Sequence, residues 1–240
     1  MKNIILSILT LACIGTANAQ WGNKKVKGNG NMTTISRSTS DYNGIKCSGS
    51  FDFVLVAGTE GNITIQGESN LLEYIITEVK GNNLIVKVED NINLQSSKNK
   101  TIKITIPFKE ISLVSLAGSG DLWNESTINA TDFKVSLAGS GDIKLYVEAQ
   151  SIKGSLAGSG DLTLKGNTNK LEASIAGSGD FDGSELQANH TDVSVAGSGD
   201  AKVVSNETLK ARVAGSGEIK YKGNPKKEDT KVAGSGSISN

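Results

Sequence analysis

The sequence predicts an all-β protein: a parallel β-solenoid of coils about 19 residues long, with an irregular β region capping the start of the stack. Three observations predict it. A string centred on Gly-Ser-Gly recurs seven times, with its alanines at 117, 138, 157, 176, 196, 214 and 233, so the spacings are 21, 19, 19, 20, 18 and 19 residues. Apolar residues alternate on both sides of each string, as in Phe133, Val135, Leu137 and then Ile143, Leu145, Val147. Period two means strands with one buried face. The chain holds 28 Gly but 2 Pro, and β-branched residues fill the spaces between the glycine clusters, which reads as turns joining short strands.

In chain order, residues 1–19 come first. Lys2 precedes an apolar run from Ile4 to Gly15, and Ala17-Asn18-Ala19 ends it. A basic start, a short apolar core and an A-x-A site describe a secretory signal peptide, cut after Ala19. Lipidation of Cys13 is the alternative, although Thr10 stands where a lipid-attachment motif carries Leu. No other apolar run is long enough to span a membrane as a helix. Residues 20–40 are polar and lack periodicity, so they are expected as a flexible leader. Residues 41–113 alternate unevenly (Phe51, Phe53, Leu55; Leu84, Val86, Val88; Ile102, Ile104, Ile106) and are expected to begin the stack and cover its first coil. Residues 114–240 carry the repeat. Each unit there is a strand, a tight glycine turn, a second strand and a looser connection rich in Asn, Gly and Lys.

An antiparallel meander and a solenoid both use such a unit. In a meander, alternate turns fall at opposite ends and need not match. In a solenoid the turns stack, and strict recurrence follows. The paired turn glycines are then structural: Gly118 and Gly120, Gly139 and Gly141, Gly158 and Gly160, Gly177 and Gly179, Gly197 and Gly199, Gly215 and Gly217. The first glycine of each pair, together with Gly234, would lie in one column, where φ > 0 and close approach both demand glycine. The alanine before each turn is expected to let the corner close. Asp121, Asp142, Asp161, Asp180 and Asp200 end the turns, followed by Glu218 and Ser237. Stacked carboxylates repel, so something must offset them. Turn N–H groups can do so. A Ca²⁺ ion is the second candidate, though one carboxylate per layer falls short of six to eight oxygens. The turn serines, from Ser119 to Ser235, are expected as a hydroxyl row or as turn chemistry alone.

Lys+Arg and Asp+Glu both number 25, so no strong field draws nucleic acid or an acidic membrane. Only Arg37 and Arg212 supply the guanidinium that phosphate recognition favours. His190 is the one histidine, which leaves no His-based triad or His-rich metal site. It is read as a solvated loop residue. Cys47 sits in an apolar alternation and reads as a small core residue. Asp180 and Asp182 are the carboxylate pair that a glycoside-hydrolase reading would use. Trp123 and Tyr146 are the aromatic side chains expected to face a ligand. No cofactor is expected. The unit ending at Asn240 shows no cap and is expected as an edge open to self-association.

Gly49-Ser50-Phe51-Asp52-Phe53-Val54-Leu55, then Gly81-Asn82-Asn83-Leu84-Ile85-Val86, then the row of Gly-Ser-Gly-Asp turns resemble the "putative auto-transporter adhesin, head GIN domain" family over about residues 43–223. The resemblance implies an exported, β-helix-like protein of Bacteroidetes-type bacteria with an adhesive role, and no catalytic residues. A true autotransporter carries a C-terminal barrel, and this sequence stops within a Gly-Ser-Gly turn. Residence in the periplasm, on the outer-membrane surface or outside the cell is therefore expected without self-export. The partner would be a surface glycan or another envelope protein. The alternatives are a structural envelope component and a polysaccharide-active β-helix enzyme.

Overall fold

The structure is a computed structural model that describes residues 23–240. The expected signal peptide and Cys13 lie outside the described residues. Among those described, the only helical element is one 3₁₀ turn, Leu72–Tyr74, amid twenty strands.

The first strands correct an expectation. Within the expected leader of residues 20–40, the described part, residues 23–40, is not free: it contains β1 (Lys24–Lys27) and β2 (Met32–Ser38). β2 pairs antiparallel with β5 (Asn62–Glu68), and β1 pairs in parallel with β8 (Ile92–Gln95). β2 turns Thr33, Ile35 and Arg37 toward the sheet, so only one of its three inward residues is aliphatic. The alternation is real but too polar to show in hydropathy. Arg37 explains how a charge is tolerated there. Its guanidinium donates to the Ile75 carbonyl and, at 2.7 Å, to that of Leu72.

A buried carboxylate fastens this segment. Glu68 is 1% exposed and accepts from the Ser97 hydroxyl at 2.6 Å, the Ser97 N–H at 2.7 Å and the Gly30 N–H at 2.5 Å. The Ser97 hydroxyl, then the two N–H groups and nearby Lys100, outweigh burial and hold the carboxyl below the usual range.

The stack itself starts with β3 (Gly44–Gly49), a corner at Ser50-Phe51, and β4 (Asp52–Ala57). On one side β3 pairs in parallel with β7 (Asn83–Val88), which a hairpin joins to β6 (Ile75–Lys80), and β4 pairs with β9 (Lys103–Phe108). On the other side lie β10 (Leu113–Gly118) and β11 (Asp121–Asn124). The layer formed first in the sequence is therefore sandwiched between two later ones. From β10 onward, layers follow chain order: β12 (Ile128–Gly139), β13 (Ile143–Gly158), β14 (Leu162–Gly177) and β15 (Phe181–Gly197), then β16 (Ala201–Val204), β17 (Thr208–Gly215), β18 (Glu218–Lys222), β19 (Lys227–Gly234) and β20 (Ser237–Ser239), all paired in parallel.

The corner glycines form one column, and it holds an eighth member. Gly49 pairs with Gly118, which continues through Gly139, Gly158, Gly177, Gly197 and Gly215 to Gly234. Inside, apolar rows run parallel to that column. One is Cys47, Leu116, Leu137, Leu156, Ile175, Val195, Val213; another is Phe53, Leu122, Ile143, Leu162, Phe181, Ala201, Ile219, and both are buried throughout. Each large aliphatic side chain among them contributes about 1.5–3 kcal/mol by leaving water. The irregular spacing of 20 residues between Ala176 and Ala196 has a local cause: a bulge opposite Thr163/Lys165 takes up one extra residue at Gly183-Ser184.

The two glycines of each corner act differently. Gly139 has φ of 130°, and a Cβ there would lie 2.2 Å from the Gly118 carbonyl oxygen. The second glycines form a column of their own, in which close approach alone excludes a side chain. A Cβ at Gly141 would stand 1.9 Å from the Gly120 oxygen, and one at Gly160, Gly179 or Gly199 would stand 1.9, 2.0 or 2.1 Å from the oxygen of Gly141, Gly160 or Gly179 in turn. Gly120 and Gly217 meet the Phe51 and Gly199 oxygens in the same way.

The corner alanines correct another expectation. They do not pack inside to close the turn; Ala117, Ala138 and Ala157 face solvent, and the second glycine is the buried corner residue. Phe181 shows the opposite adjustment. Its ring fills the space left by Gly154, where a Cβ would meet nothing nearer than 3.5 Å.

These contacts set the cost of adding one methyl group. Gly141→Ala should cost about 3 kcal/mol or more in thermal unfolding, because only backbone can move to relieve the clash. Gly154→Ala should stay within about 1 kcal/mol of the parent, on the stabilising side, by restricting the unfolded chain. For Glu68, the folded pKa lies below the unfolded value of about 4.3. Its contribution is thus complete above that value and is lost as pH falls through the lower folded value. Melting curves recorded from neutral to about pH 2 should fall in the acid range. Glu68→Gln should lower the neutral melting temperature and flatten part of that fall.

Candidate functional site

The corner fixes the aspartate column. Each first glycine carbonyl accepts from two N–H groups of the next layer, as Gly118 does from Ser140 at 2.9 Å and Gly141 at 3.1 Å. From Asp142 to Glu218 the next N–H bonds no backbone carbonyl, whereas at the two ends those of Asp121 and Ser237 do. An aspartate side chain takes that place: Asp121 Oδ1 accepts from the Asp142 N–H, Asp142 from Asp161, Asp161 from Asp180, Asp180 from Asp200 and Asp200 from Glu218, at 2.8–3.3 Å. The donors come from the neighbouring layer rather than from the same turn. They supply the offset that the sequence left open between turn N–H groups and a cation. Where the column reaches Glu218 the longer side chain leaves the register and pairs with Lys220 at 3.2 Å, and the Ser237 N–H turns to the Gly217 carbonyl. The hydroxyl row appears elsewhere: Ser115–Ser136 at 2.9 Å and Ser174–Ser194 at 3.4 Å bond across layers, while the corner serines make no side-chain bond among the described residues. No group of three or more His, Cys, Asp or Glu among the described residues is placed to hold a metal ion.

Cys47, His190 and Asp182 are each occupied or withdrawn. Cys47 is a free, buried thiol whose pKa burial pushes up, which suppresses the thiolate. His190 is not in a loop; it lies on β15, half-buried, with Nδ1 2.9 Å from the Thr208 hydroxyl. Asp182 closes the bulge. Its Oδ1 accepts from the Ser184 hydroxyl at 2.6 Å and the Ser184 N–H at 2.9 Å. Burial raises its pKa, and these bonds more than reverse that, so the carboxyl is held below its ordinary value. A glycosidase acid needs the reverse shift. Trp123 and Tyr146 share the outer face that follows the corner, one layer apart. Trp123 is half-buried, with the Lys103 ammonium 5.9 Å from its ring centre; Tyr146 is 43% exposed. Cross-layer ion pairs dress the same outer surface, as at Lys165–Glu185, 2.8 Å apart.

Opposite the glycine column the coils bend a second time, and an open groove of about 850 Å³ follows this bend. Its geometry comes from two registered rows and the residues that follow them, where the pairing breaks. The inner row is small: Ala130, Ala149, Thr168 and Ala188. The row before it presents Asn129, Glu148, Asn167 and Gln187, all exposed. Thr131, Gln150, Asn169 and Asn189 follow on the other side of the bend. Small residues let the bend sink, and carboxamides wall it. In the sequence these residues belong to the looser connections, where only their constant distance from the corner alanine, nine residues for Asn129, Glu148, Asn167 and Gln187, marks them as a row.

The fold and this surface define a parallel β-solenoid that presents registered polar side chains. The chain belongs to the family described as "Putative auto-transporter adhesin, head GIN domain", whose model matches residues 41–225. A crystal structure of a "putative adhesin" from Bacteroides fragilis superposes with a TM-score of 0.81 at 24% identity, over 90% of this chain and 99% of that one. A "putative lipid binding protein" from Parabacteroides distasonis gives 0.73 at 28% identity, and a "putative adhesin" from the same species 0.71 at 24%, each over 90% of this chain and 99% of the other. No curated protein matches the sequence significantly. No helix among the described residues is long and apolar enough to cross a membrane.

The aspartate column makes its own prediction. Asp161→Ala removes the acceptor of the Asp180 N–H and should cost roughly 0.5–1.5 kcal/mol in denaturant unfolding. Asp161→Asn keeps an acceptor oxygen and should cost less. The melting temperature should be the same with Ca²⁺ and with chelator.

Proposed function

We propose that this chain is an exported, non-enzymatic adhesion module that acts through the outside of its solenoid, in the periplasm, at the outer-membrane surface or beyond the cell. One observation carries the reading. The outer side chains stand in register over many layers, whereas the thiol of Cys47 is buried, the imidazole of His190 is hydrogen-bonded and Asp182 is held below the range a general acid needs. The family supports it, and so do the neighbours described as adhesins. Lipid binding, the description of one neighbour, has less to rest on here. Phe53, Phe133 and Phe181 fill the interior, and the opening beside Phe51 holds only about 360 Å³.

Labelled protein beginning at Gln20 should bind whole bacterial cells saturably and release no reducing ends from polysaccharides on long incubation. Steady release of reducing ends would overturn the reading in favour of an enzyme. Absence of saturable binding to cells and to isolated envelope would reduce the protein to a structural component.

A further inference from the structure

We infer that the carboxamide-walled groove along the second bend is a binding site for a neutral glycan; this rests on the adhesion reading and names where and what the module binds. The groove is more than twice as roomy as the opening beside Phe51, at about 850 against 360 Å³, and lies in the size range of ligand sites.

The state of its amides is the main ground. An amide that serves only to brace a bend bonds to the bend's own backbone. Asn124 does so: its side chain donates to the carbonyls of Tyr146 and Ser126, at 2.8 and 2.9 Å, and accepts from the Tyr146 N–H at 2.9 Å. The groove amides behave differently. Asn189 donates to Asn169 at 3.0 Å, and the side chains of Asn129, Gln150, Asn167 and Gln187 have no protein partner among the described residues. Each leaves donors and an acceptor directed to solvent. At least one amide per layer, and two in each of the last two layers, repeats this donor–acceptor offer at about 4.8 Å along the stack over four layers, or roughly 14 Å.

That offer matches vicinal hydroxyls, which both give and accept hydrogen bonds. Other polymers fit less well. No Lys or Arg lines the groove, and Glu110 and Glu148 do, so phosphate, sulfate and uronate chains meet repulsion. A peptide adding itself as a strand needs a free sheet edge, and β13, β14 and β15 are paired on both sides here, which leaves the start of β12 as the one open edge along the groove among the described residues. The groove offers its small inner row and no deep apolar pocket for peptide side chains. Tyr146 stands two residues before Glu148 on the same outer face, about 7 Å along the strand, and supplies an exposed ring at the groove's margin.

The test uses the protein from Gln20 on an array of immobilised oligomannosides, cello-oligosaccharides and amino-sugar oligomers, with sialylated and sulfated counterparts. Neutral chains should be retained and acidic ones excluded. The double variant Gln150→Ala/Asn169→Ala should weaken retention at least tenfold with an unchanged melting temperature, and Tyr146→Ala should weaken it less. Lys153→Ala/Glu172→Ala, on the strand face that precedes the glycine corner, should leave it unchanged. Retention indifferent to the groove variants, or a preference for acidic chains, would overturn the site while the adhesion reading stands. Cell binding without retention of any neutral glycan would do the same, pointing to a protein or lipid receptor. Loss of cell binding as well would remove both.

Discussion

The structure depends on how closely one backbone corner can lie upon the next. At the Gly-Ser-Gly corner, two N–H groups of each layer converge on a single carbonyl of the layer before it, and the distance that allows this leaves no room for a methyl group. Everything else keeps that spacing. The apolar rows stack because the corners do. The aspartates take over where the carbonyl supply runs out, so a charged side chain completes a main-chain ladder. The charge is tolerable because it remains at the surface, where water and an N–H share the load.

What was legible in the sequence follows from that constraint. A contact that excludes all side chains but hydrogen leaves a mark that composition cannot hide, so the seven glycine corners and the apolar rows beside them were readable. The eighth corner was not, because Phe51 stands where the second glycine should be. It fits there since the neighbouring layer has no tight turn: the chain wanders from Val88 to Lys103 between β7 and β9, and the ring settles against Phe53 in the wider gap. β2 escaped because its inward face is Thr, Ile and Arg, and Arg37 is satisfied by carbonyls far along the chain, at Leu72 and Ile75. The alanines misled. Their recurrence beside the corner suggested an inner role, while the strand's alternation turns them outward. The groove amides read only as polar connections, since Asn, Gln, Glu and Thr alternate along the rows and only their constant distance from the corner alanines aligns them.

A fold of this kind separates reactivity from display. Burial silences Cys47, short hydrogen bonds hold Asp182 ionised, and the lone imidazole is engaged by Thr208. The outside, by contrast, repeats similar side chains at fixed intervals. Individually such contacts are weak, and polymers with their own repeat are the partners against which weak contacts add up. The proposed adhesion to an extended surface molecule draws on that geometry.

The sandwiched first layer has a consequence for how the molecule comes together. Gly49 must wait for Gly118, a separation of 118 − 49 = 69 residues, whereas each later corner meets one about 19 residues behind it. Beyond its local β6–β7 hairpin, closing the N-terminal block therefore requires long loops to be drawn in, and each coil after it docks locally on the layer before it. Assembly has a built-in direction: a slow seed laid down by the part of the chain that leaves the ribosome first, then growth by accretion, one rung at a time.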